Sequence, residues 1–98
     1  MSETPDEIVH QTTRLRILAA LEAEPDGAPL DFVRLKAITA STDGNLGAHL
    51  GTLEKAGYVA VDKEPVGKRF RTWVSITASG RSAFLAHLAF LKSIVGAR

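Results

Sequence analysis

The stretch STDGNLGAHLGTLEKAGYVAV, residues 41–61, changes its hydrophobic period at Gly57. On the amino-terminal side of that glycine, leucines recur at the helical spacing i, i+4, i+7, as Leu46, Leu50 and Leu53. Ser41 or Thr42 is placed to cap a helix, and Gly57 supplies the left-handed residue that ends one. The pattern predicts a helix over residues 42–56, although each glycine inside it costs about 1 kcal/mol relative to alanine.

After Gly57 the apolar residues alternate with polar ones, which is typical of strands. The runs YVAVDK and TWVSIT, residues 58–63 and 72–77, carry this alternation. Residues 64–70, EPVGKRF, lie between them and contain a proline, a glycine and two cations. We therefore expect a β-hairpin over residues 58–77 with a long, positively charged loop at its tip.

Three further helices are predicted from capping residues, breaks and apolar spacing, over residues 6–24, 31–38 and 78–95. Thr4 and Pro5 precede two acids at the start of the first helix, and PDGAP, residues 25–29, ends it. Asp31 is placed to cap the second helix. The expected inward residues of that helix recur at i, i+3, i+6 and are Phe32, Leu35 and Ile38.

The predicted order is helix, helix, turn, helix, hairpin, helix within a single domain over residues 1–98. The fold class is mainly α with a small β-hairpin, an α+β arrangement. Two helices joined by a short turn form a helix-turn-helix, whose second helix enters the major groove of DNA. A hairpin directly after that helix is a wing, so we expect a winged helix-turn-helix with a carboxy-terminal helix.

Composition excludes several classes of protein. The chain has no cysteine, which rules out disulfides and thiolate metal sites. No apolar run reaches the roughly 18 residues of a membrane span, and the acidic start MSETPDEIV differs from a secretory signal, so we expect a cytoplasmic protein without a membrane partner. The chain has no phosphate-binding loop and no GxSxG motif, and we expect neither enzyme activity nor a cofactor. His10 and His87 lack carboxylates at ligand spacing, so no metal site is predicted.

The charge is unevenly distributed although the net charge is only +1. Residues 1–64 hold six Lys/Arg and all eleven Asp/Glu, a balance of −5. Residues 65–98 hold six cations and no acid, a balance of +6. Such asymmetry favours an end that faces a polyanion, with chance clustering on a solvated surface as the alternative.

Three motifs together resemble the small stand-alone winged-helix transcription regulators related to the MarR and ArsR groups. They are the LxxHLxxLExxGYV run from Leu46, the hairpin ending ITxxGR from Ile76, and RLRILAAL in the first helix. The resemblance covers nearly the whole chain. It implies a homodimer, held by the first and last helices, that binds a roughly palindromic site on double-stranded DNA. In some relatives a small-molecule inducer binds between the third helix and the dimer helices, so the resemblance leaves room for a small-molecule effector.

The predicted recognition helix, residues 42–56, presents almost no side chains at the centre of its outward face. At about 100° per residue, the residues that point directly away from the leucines are Gly44, Ala48, Gly51 and Lys55. Glycine lets the backbone approach the groove or the phosphates closely. The alternative is that glycine relieves crowding against the preceding helix. The residues of this helix expected to contact DNA are Thr42, Asn45, Ala48, His49, Thr52 and Lys55.

His49 lies about 60° from the leucine stripe and has two candidate roles, a phosphate contact or a boundary position packed against the wing. Asp43 lies in the first helical turn, and we expect it to cap the helix because it would repel phosphate.

No arginine lies on the outward face before Lys55, so the common bidentate contact with guanine is absent. Specificity is then modest, or depends on DNA shape and the wing. Arg14 or Arg16 could contact the DNA backbone, but we expect one of the two to pair with an acid instead.

The predicted wing tip carries Lys68, Arg69 and Arg71 around Gly67. Basic wings lie along the DNA backbone or insert an arginine into the minor groove, and phosphate contacts supply most of the non-specific affinity. The alternative is a solvated hairpin tip, which is normally polar.

Trp73 is out of phase with the inward residues of its strand. We expect it to be exposed, or to pack under the wing, against a partner subunit or in a ligand cleft.

The last helix is apolar around more than one face, so something besides its own domain should cover it. The simplest explanation is that a second subunit buries this surface, since two-fold dimers are the commonest oligomers. The alternative is that a different protein buries it. The expected dimer interface consists of Ile8, Leu15, Phe84, Leu88, Leu91, Ile94 and Val95.

The sequence leaves two candidate functions. The first is a sequence-specific, homodimeric transcription regulator, a repressor that occludes a promoter. The second is a winged-helix protein-interaction module that works through its last helix.

Overall fold

The computed structural model describes residues 8–9 and 11–96, which form four α-helices and a three-stranded antiparallel sheet. In chain order the elements are α1 (Thr12–Glu22), β1 (Leu30–Asp31), α2 (Phe32–Thr39), α3 (Asp43–Lys55), β2 (Val59–Val66), β3 (Arg69–Ile76) and α4 (Ala78–Gly96). The strands lie in the order β1, β3, β2. This is the α+β winged helix-turn-helix that the sequence predicts. None of the described helices is long and apolar enough to cross a membrane.

Helix α1 is shorter than predicted at both ends. Residues 8–9 form a turn and Gln11 has an extended backbone immediately before the helix, so the predicted start at residue 6 was wrong. The fully buried Val9 anchors this turn in the core. The cap predicted at residues 4–7 lies outside the described residues. After α1 a short 3-10 turn, Pro25–Gly27, forms where the PDG sequence predicts a break.

The helix-turn-helix consists of α2, a three-residue turn and α3, and side chains cap both helices. Asp31 Oδ1 accepts a hydrogen bond from the backbone N–H of Arg34 at 2.7 Å, as predicted. Thr42 Oγ1 accepts from the backbone N–H of Asn45 at 3.1 Å, so Thr42 rather than Ser41 caps α3. The leucine stripe is buried as predicted, at Leu46, Leu50 and Leu53. Gly57 follows α3 with a φ of +82°.

Helix α2 buries a different face from the predicted one. Leu35 is fully buried and Phe32 is half-buried, but Ile38 is 47% exposed. The inward face runs from Leu35 to Thr39 at i, i+4, and the Thr39 hydroxyl donates to the Leu35 carbonyl at 2.8 Å. Because Thr39 satisfies its hydroxyl within the helix, it is buried at little cost, and Ile38 is turned outward.

The wing is a longer and tighter hairpin than predicted. Strands β2 and β3 pair along their whole length, and Gly67 and Lys68 form the turn between them. The expectation of a long loop over residues 64–70 was wrong because most of these residues continue the strand ladder. Gly67 has a φ of +62°, which a two-residue hairpin turn requires. Pro65 lies on the edge strand β2, where its missing N–H group is tolerated.

The third strand was not predicted. In β1, Leu30 lies opposite Val74 and Asp31 lies opposite Trp73 of β3. Two residues are too few to show a period in the sequence. Their pairing attaches the start of α2 to the base of the wing.

The start of α4 is fixed by the hairpin end ITxxGR. Thr77 Oγ1 donates to the Gly57 carbonyl at 2.6 Å and accepts from the backbone N–H of Gly80 at 3.0 Å. Arg81 Nε donates to Glu22 Oε1 of α1 at 2.7 Å. Arg81 therefore holds α4 against α1, and this cation does not belong to a polyanion-facing end of the chain.

The core draws on every helix and strand, and it changes part of the predicted dimer interface. Phe84 is 6% exposed and packs within the core of its own subunit, so its assignment to the interface was wrong. The predicted interface residues that lie half-buried against the core are Ile8, Leu15 and Leu88. Those that are exposed on α4 are Leu91, Ile94 and Val95. The buried residues of α4 are Gly80, Phe84 and His87, all in its amino-terminal half. The core therefore does not cover the carboxy-terminal half of the helix.

Candidate nucleic-acid interface

The outward face of α3 is bare at its centre. Gly44, Gly47 and Gly51 are all exposed, and a Cβ atom placed at each of them would meet no atom within 4 Å. The alternative explanation, relief of crowding against the preceding helix, is therefore wrong. Within the part of the chain that the structure describes, no contact requires glycine at these three positions.

Polar side chains flank this bare face. Asn45 and Lys55 are exposed, and Thr52 is half-buried with its hydroxyl donating to the Ala48 carbonyl at 3.3 Å. A shallow concavity opens on the outward side and is lined by Ala48, Gly51, Thr52, Glu54 and Lys55. The Thr42 hydroxyl accepts the capping hydrogen bond, which leaves its proton available to a DNA acceptor. The predicted residues of the helix thus lie together on one surface, apart from His49 at its inner edge.

Asp43 has a partner that the sequence did not reveal. Lys36 Nζ of α2 lies 2.6 Å from Asp43 Oδ1, while Thr42 provides the side-chain cap. The pair connects the two helices of the helix-turn-helix across their turn. It also balances the one acidic charge in the first turn of α3, which would otherwise oppose a phosphate.

His49 is hydrogen-bonded to α1. Arg14 Nε donates to His49 Nδ1 at 3.1 Å, and Arg14 Nη1 donates to the Ile8 carbonyl at 3.3 Å. Neither candidate role for His49 anticipated this partner. The acid partner expected for one of Arg14 and Arg16 does not occur among the described residues. Burial, and secondarily the Arg14 charge, lower the pKa of His49 below 6.5.

We expect the free energy of unfolding to decrease as the pH falls below about 6.5. In the folded chain His49 takes up a proton less readily than in the unfolded chain, because its pKa is lowered. The unfolded state therefore binds more protons in this window, and the stability that neutral His49 provides above it is lost. Urea denaturation at several pH values measures the slope. His49→Gln should flatten it, and an unchanged slope in that variant would contradict the assignment.

The wing presents basic side chains near its tight turn. Lys68 and Arg69 are exposed at the tip, and Arg71 follows two residues later on β3. Arg71 lies opposite Glu64 of β2 in the strand register. Lys68 and Arg69 are therefore the cations best placed for phosphate, whereas Arg71 has an acidic neighbour.

Trp73 is half-buried on the wing and is held by neighbours on the hairpin itself. Its indole Nε1–H donates to Glu64 Oε1 at 3.0 Å, and the Arg71 guanidinium lies 5.7 Å from the ring centroid. This cation–π contact and hydrogen bond stiffen the middle of the wing. The sequence analysis also missed Glu64, because its role depends on the register of two strands where a loop was predicted.

The histidines considered for a metal site do not come together in the described structure. His10 lies outside the described residues, and His87 is buried in α4. Within residues 8–9 and 11–96, no group of three or more His, Cys, Asp or Glu side chains is placed to hold a metal ion.

A helix-turn-helix followed by a basic wing defines the class of winged-helix DNA-binding proteins. The chain belongs to the family described as the winged helix DNA-binding domain, which matches residues 13–95. It is a DNA-binding transcription regulator of this fold.

Known proteins support this assignment. An uncharacterized protein of Methanocaldococcus jannaschii is 38% identical over 77 residues, which are 79% of this chain and 80% of that protein. The structure of a transcriptional regulator homologue protein from Pyrococcus horikoshii OT3 matches with a TM-score of 0.80 at 30% identity, over 92% of this chain and 86% of that one. A MarR-family transcriptional regulator from Silicibacter pomeroyi shares the fold, with a TM-score of 0.68 at 22% identity, over 88% of this chain and 55% of that one. The predicted resemblance to small winged-helix regulators is confirmed.

Proposed function

We propose that the protein is a homodimeric repressor that reads double-stranded DNA with α3 in the major groove and with the wing on the backbone or in the minor groove. The bare centre of α3 carries this proposal. Each glycine there costs the helix about 1 kcal/mol relative to alanine, and no contact within the described chain requires it. A surface that must approach something outside the subunit accounts for the cost.

The chemistry beside the glycines suits DNA. Asn45 carries an exposed amide that can bond adenine in a bidentate fashion, and Lys55 is a cation near the end of α3. Arginine is absent from this surface, so guanine is not read in its usual way. Sequence specificity then depends on a few polar contacts and on the shape and deformability of the duplex.

Dimerisation is proposed from the exposed half of α4. Ile94 and Val95 are 57% and 71% exposed, and Leu91 is exposed beside them. An apolar groove on this helix is lined by Leu88, Leu91, Lys92, Val95 and Gly96. Exposed apolar side chains grouped in this way mark a surface that a partner covers. A two-fold dimer would also place two copies of α3 on a palindromic site. Repression follows if that site overlaps a promoter.

A second candidate function rests on the same helix. If a different protein covers the exposed half of α4, the domain is a protein-interaction module. The two functions differ in their response to salt, because phosphate contacts weaken steeply as salt increases, whereas an apolar interface responds little.

A small-molecule effector stays a prediction. The described chain contains a groove of ≈ 500 Å³ between the start of α2 and the wing, lined by Asp31, Phe32, Val33, Val66, Arg69, Phe70, Arg71 and Thr72. Its volume suits a small molecule. It lies away from the place between the third helix and the dimer helices that the resemblance implied.

The first experiment is selection of bound duplexes from a random DNA pool at two salt concentrations, with the mass of the purified protein measured in solution. A recovered palindrome with half-sites about one helical turn apart, bound by a dimer, supports the proposal. Salt-sensitive binding without an enriched motif would contradict sequence-specific regulation. Absence of binding at either salt would favour the protein-interaction module.

We expect Arg69→Gln to weaken binding to all DNA sequences and to lower the salt dependence, because Arg69 is an exposed wing cation without an acidic neighbour across the strands. The slope of log affinity against log salt should decrease by about 0.9 for the lost phosphate contact. Fluorescence anisotropy over a salt series measures it. Arg69→Lys is the matched control, because it keeps the positive charge at the wing tip and should leave the slope almost unchanged. Equal slopes in wild type and Arg69→Gln would place the wing tip away from DNA.

A further inference from the structure

The hydrogen bond between α1 and α3 determines the protonation of a side chain at the edge of the DNA-facing surface. The Nε–H group of Arg14 is only a donor, so His49 Nδ1 must accept with its lone pair. His49 is then neutral and carries its proton on Nε2. A protonated imidazole would direct an N–H group at the guanidinium, and the bond would be lost.

Arg14 itself is held in place. Its Nη1 donates to the Ile8 carbonyl in the turn before α1, and its Nε donates to His49. Two hydrogen bonds in different directions fix the planar guanidinium, and Arg14 is half-buried. The orientation of the imidazole therefore depends on α1 and the turn before it, and not on α3 alone.

The opposite edge of the imidazole carries Nε2. Among the described residues, one buried side-chain nitrogen or oxygen atom lacks a hydrogen-bond partner. This atom is His87 Nδ1. His49 Nε2 also has no hydrogen-bond partner among the described residues, yet it does not belong to these buried atoms, so it retains some contact with solvent. Asn45, His49 and Thr52 follow the helical spacing i, i+4, i+7 and form one polar stripe beside the bare glycine face.

We propose that Arg14 is a positioning residue for DNA recognition, which fixes His49 in its neutral Nε2–H form and so presents a hydrogen-bond donor on the polar stripe of α3. This inference rests on the proposed function. The ligand of the Nε2–H group is an acceptor on DNA, a phosphate oxygen or a base edge. The pKa of His49 is lowered first by burial and then by the charge of Arg14 of α1.

The test is a double-mutant cycle with Arg14→Met and His49→Ala, read by affinity for the selected duplex. Methionine keeps the apolar stem and removes the donor. Arg14→Met should weaken binding about tenfold in the wild-type background and have little further effect when His49 is alanine. Equal losses in both backgrounds would mean that Arg14 acts on DNA directly, which would overturn the proposal.

A second measurement does not depend on DNA. Long-range ¹H–¹⁵N spectra of the imidazole nitrogens report which nitrogen of His49 carries the proton. We expect the Nε2–H form in the wild type, a mixture of tautomers in Arg14→Met, and a higher pKa for His49 in that variant because the Arg14 charge is gone. The Nδ1–H form in the wild type would refute the positioning role. If the spectra agree and no DNA is bound, the proposed function fails while the Arg14–His49 geometry stands.

Discussion

Replacing Gly51 with leucine is expected to abolish DNA binding and, at the same time, to raise the free energy of unfolding. Gly51 is exposed and its missing Cβ would meet no atom within 4 Å, so a leucine is accommodated in the folded subunit. The helix propensity of leucine is more favourable than that of glycine by up to about 1 kcal/mol. On the proposed interface, however, the new side chain would stand between the helix backbone and the groove.

The size of the effect follows from the contacts that would be displaced together. Each good base contact is worth about 1–3 kcal/mol, and holding α3 away from the groove removes more than one of them. We therefore expect the affinity for the selected duplex to fall by about 100-fold or more. Fluorescence anisotropy with labelled duplex measures the affinity, and urea denaturation of the same sample measures the stability.

Gly51→Ala is the graded control for this prediction. It gives a similar gain in helix propensity and adds only one methyl group, so it should be more stable than the wild type and lose much less affinity than Gly51→Leu. Full affinity of Gly51→Leu for the selected duplex would refute the close approach of α3 to DNA. A loss of affinity accompanied by a loss of stability would show that position 51 acts through the fold instead.

The parts of the fold that could be predicted are those encoded locally. The spacing of Leu46, Leu50 and Leu53 gave the recognition helix because a helical stripe repeats within a few residues. Gly57 marked its end, and its positive φ is observed. The capping of α2 by Asp31 was likewise visible within three residues of sequence. The bare face of α3 could be predicted for the same reason.

The parts that could not be predicted depend on residues far apart in the chain. Strand β1 exists because it pairs with β3 more than 40 residues later, and two residues have no readable period. Arg14 and His49 are 35 positions apart, and Arg81 and Glu22 are 59 positions apart. A charge count along the sequence assigned Arg81 to a polyanion-facing end because it contains no information on which cations find internal partners.

The motif ITxxGR illustrates how a resemblance acquires a physical basis. Ile76 is buried in the core, Thr77 joins the end of α3 to the start of α4, and Arg81 pairs with Glu22. Gly80 is the element for which size is decisive. A Cβ atom there would lie 2.0 Å from the Tyr58 carbonyl oxygen and 3.0 Å from Ile76 Cγ1. The first turn of α4 can therefore touch the backbone at the start of β2 only if residue 80 has no side chain.

Gly80→Ala is accordingly expected to destabilise the fold by about 3 kcal/mol, at the upper end of the range for overpacked sites. The obstacle is a backbone carbonyl that cannot rotate away, so α4 must shift and lose the Thr77 hydrogen bonds with it. For a domain whose total stability is about 5–15 kcal/mol, such a loss is large. Urea denaturation measures it. Gly47→Ala is the matched control, the same substitution in a helix with open space around it, and it should instead gain up to about 1 kcal/mol. If both variants are stabilised, the close approach of α4 to Tyr58 is refuted, and with it the explanation of the glycine in ITxxGR.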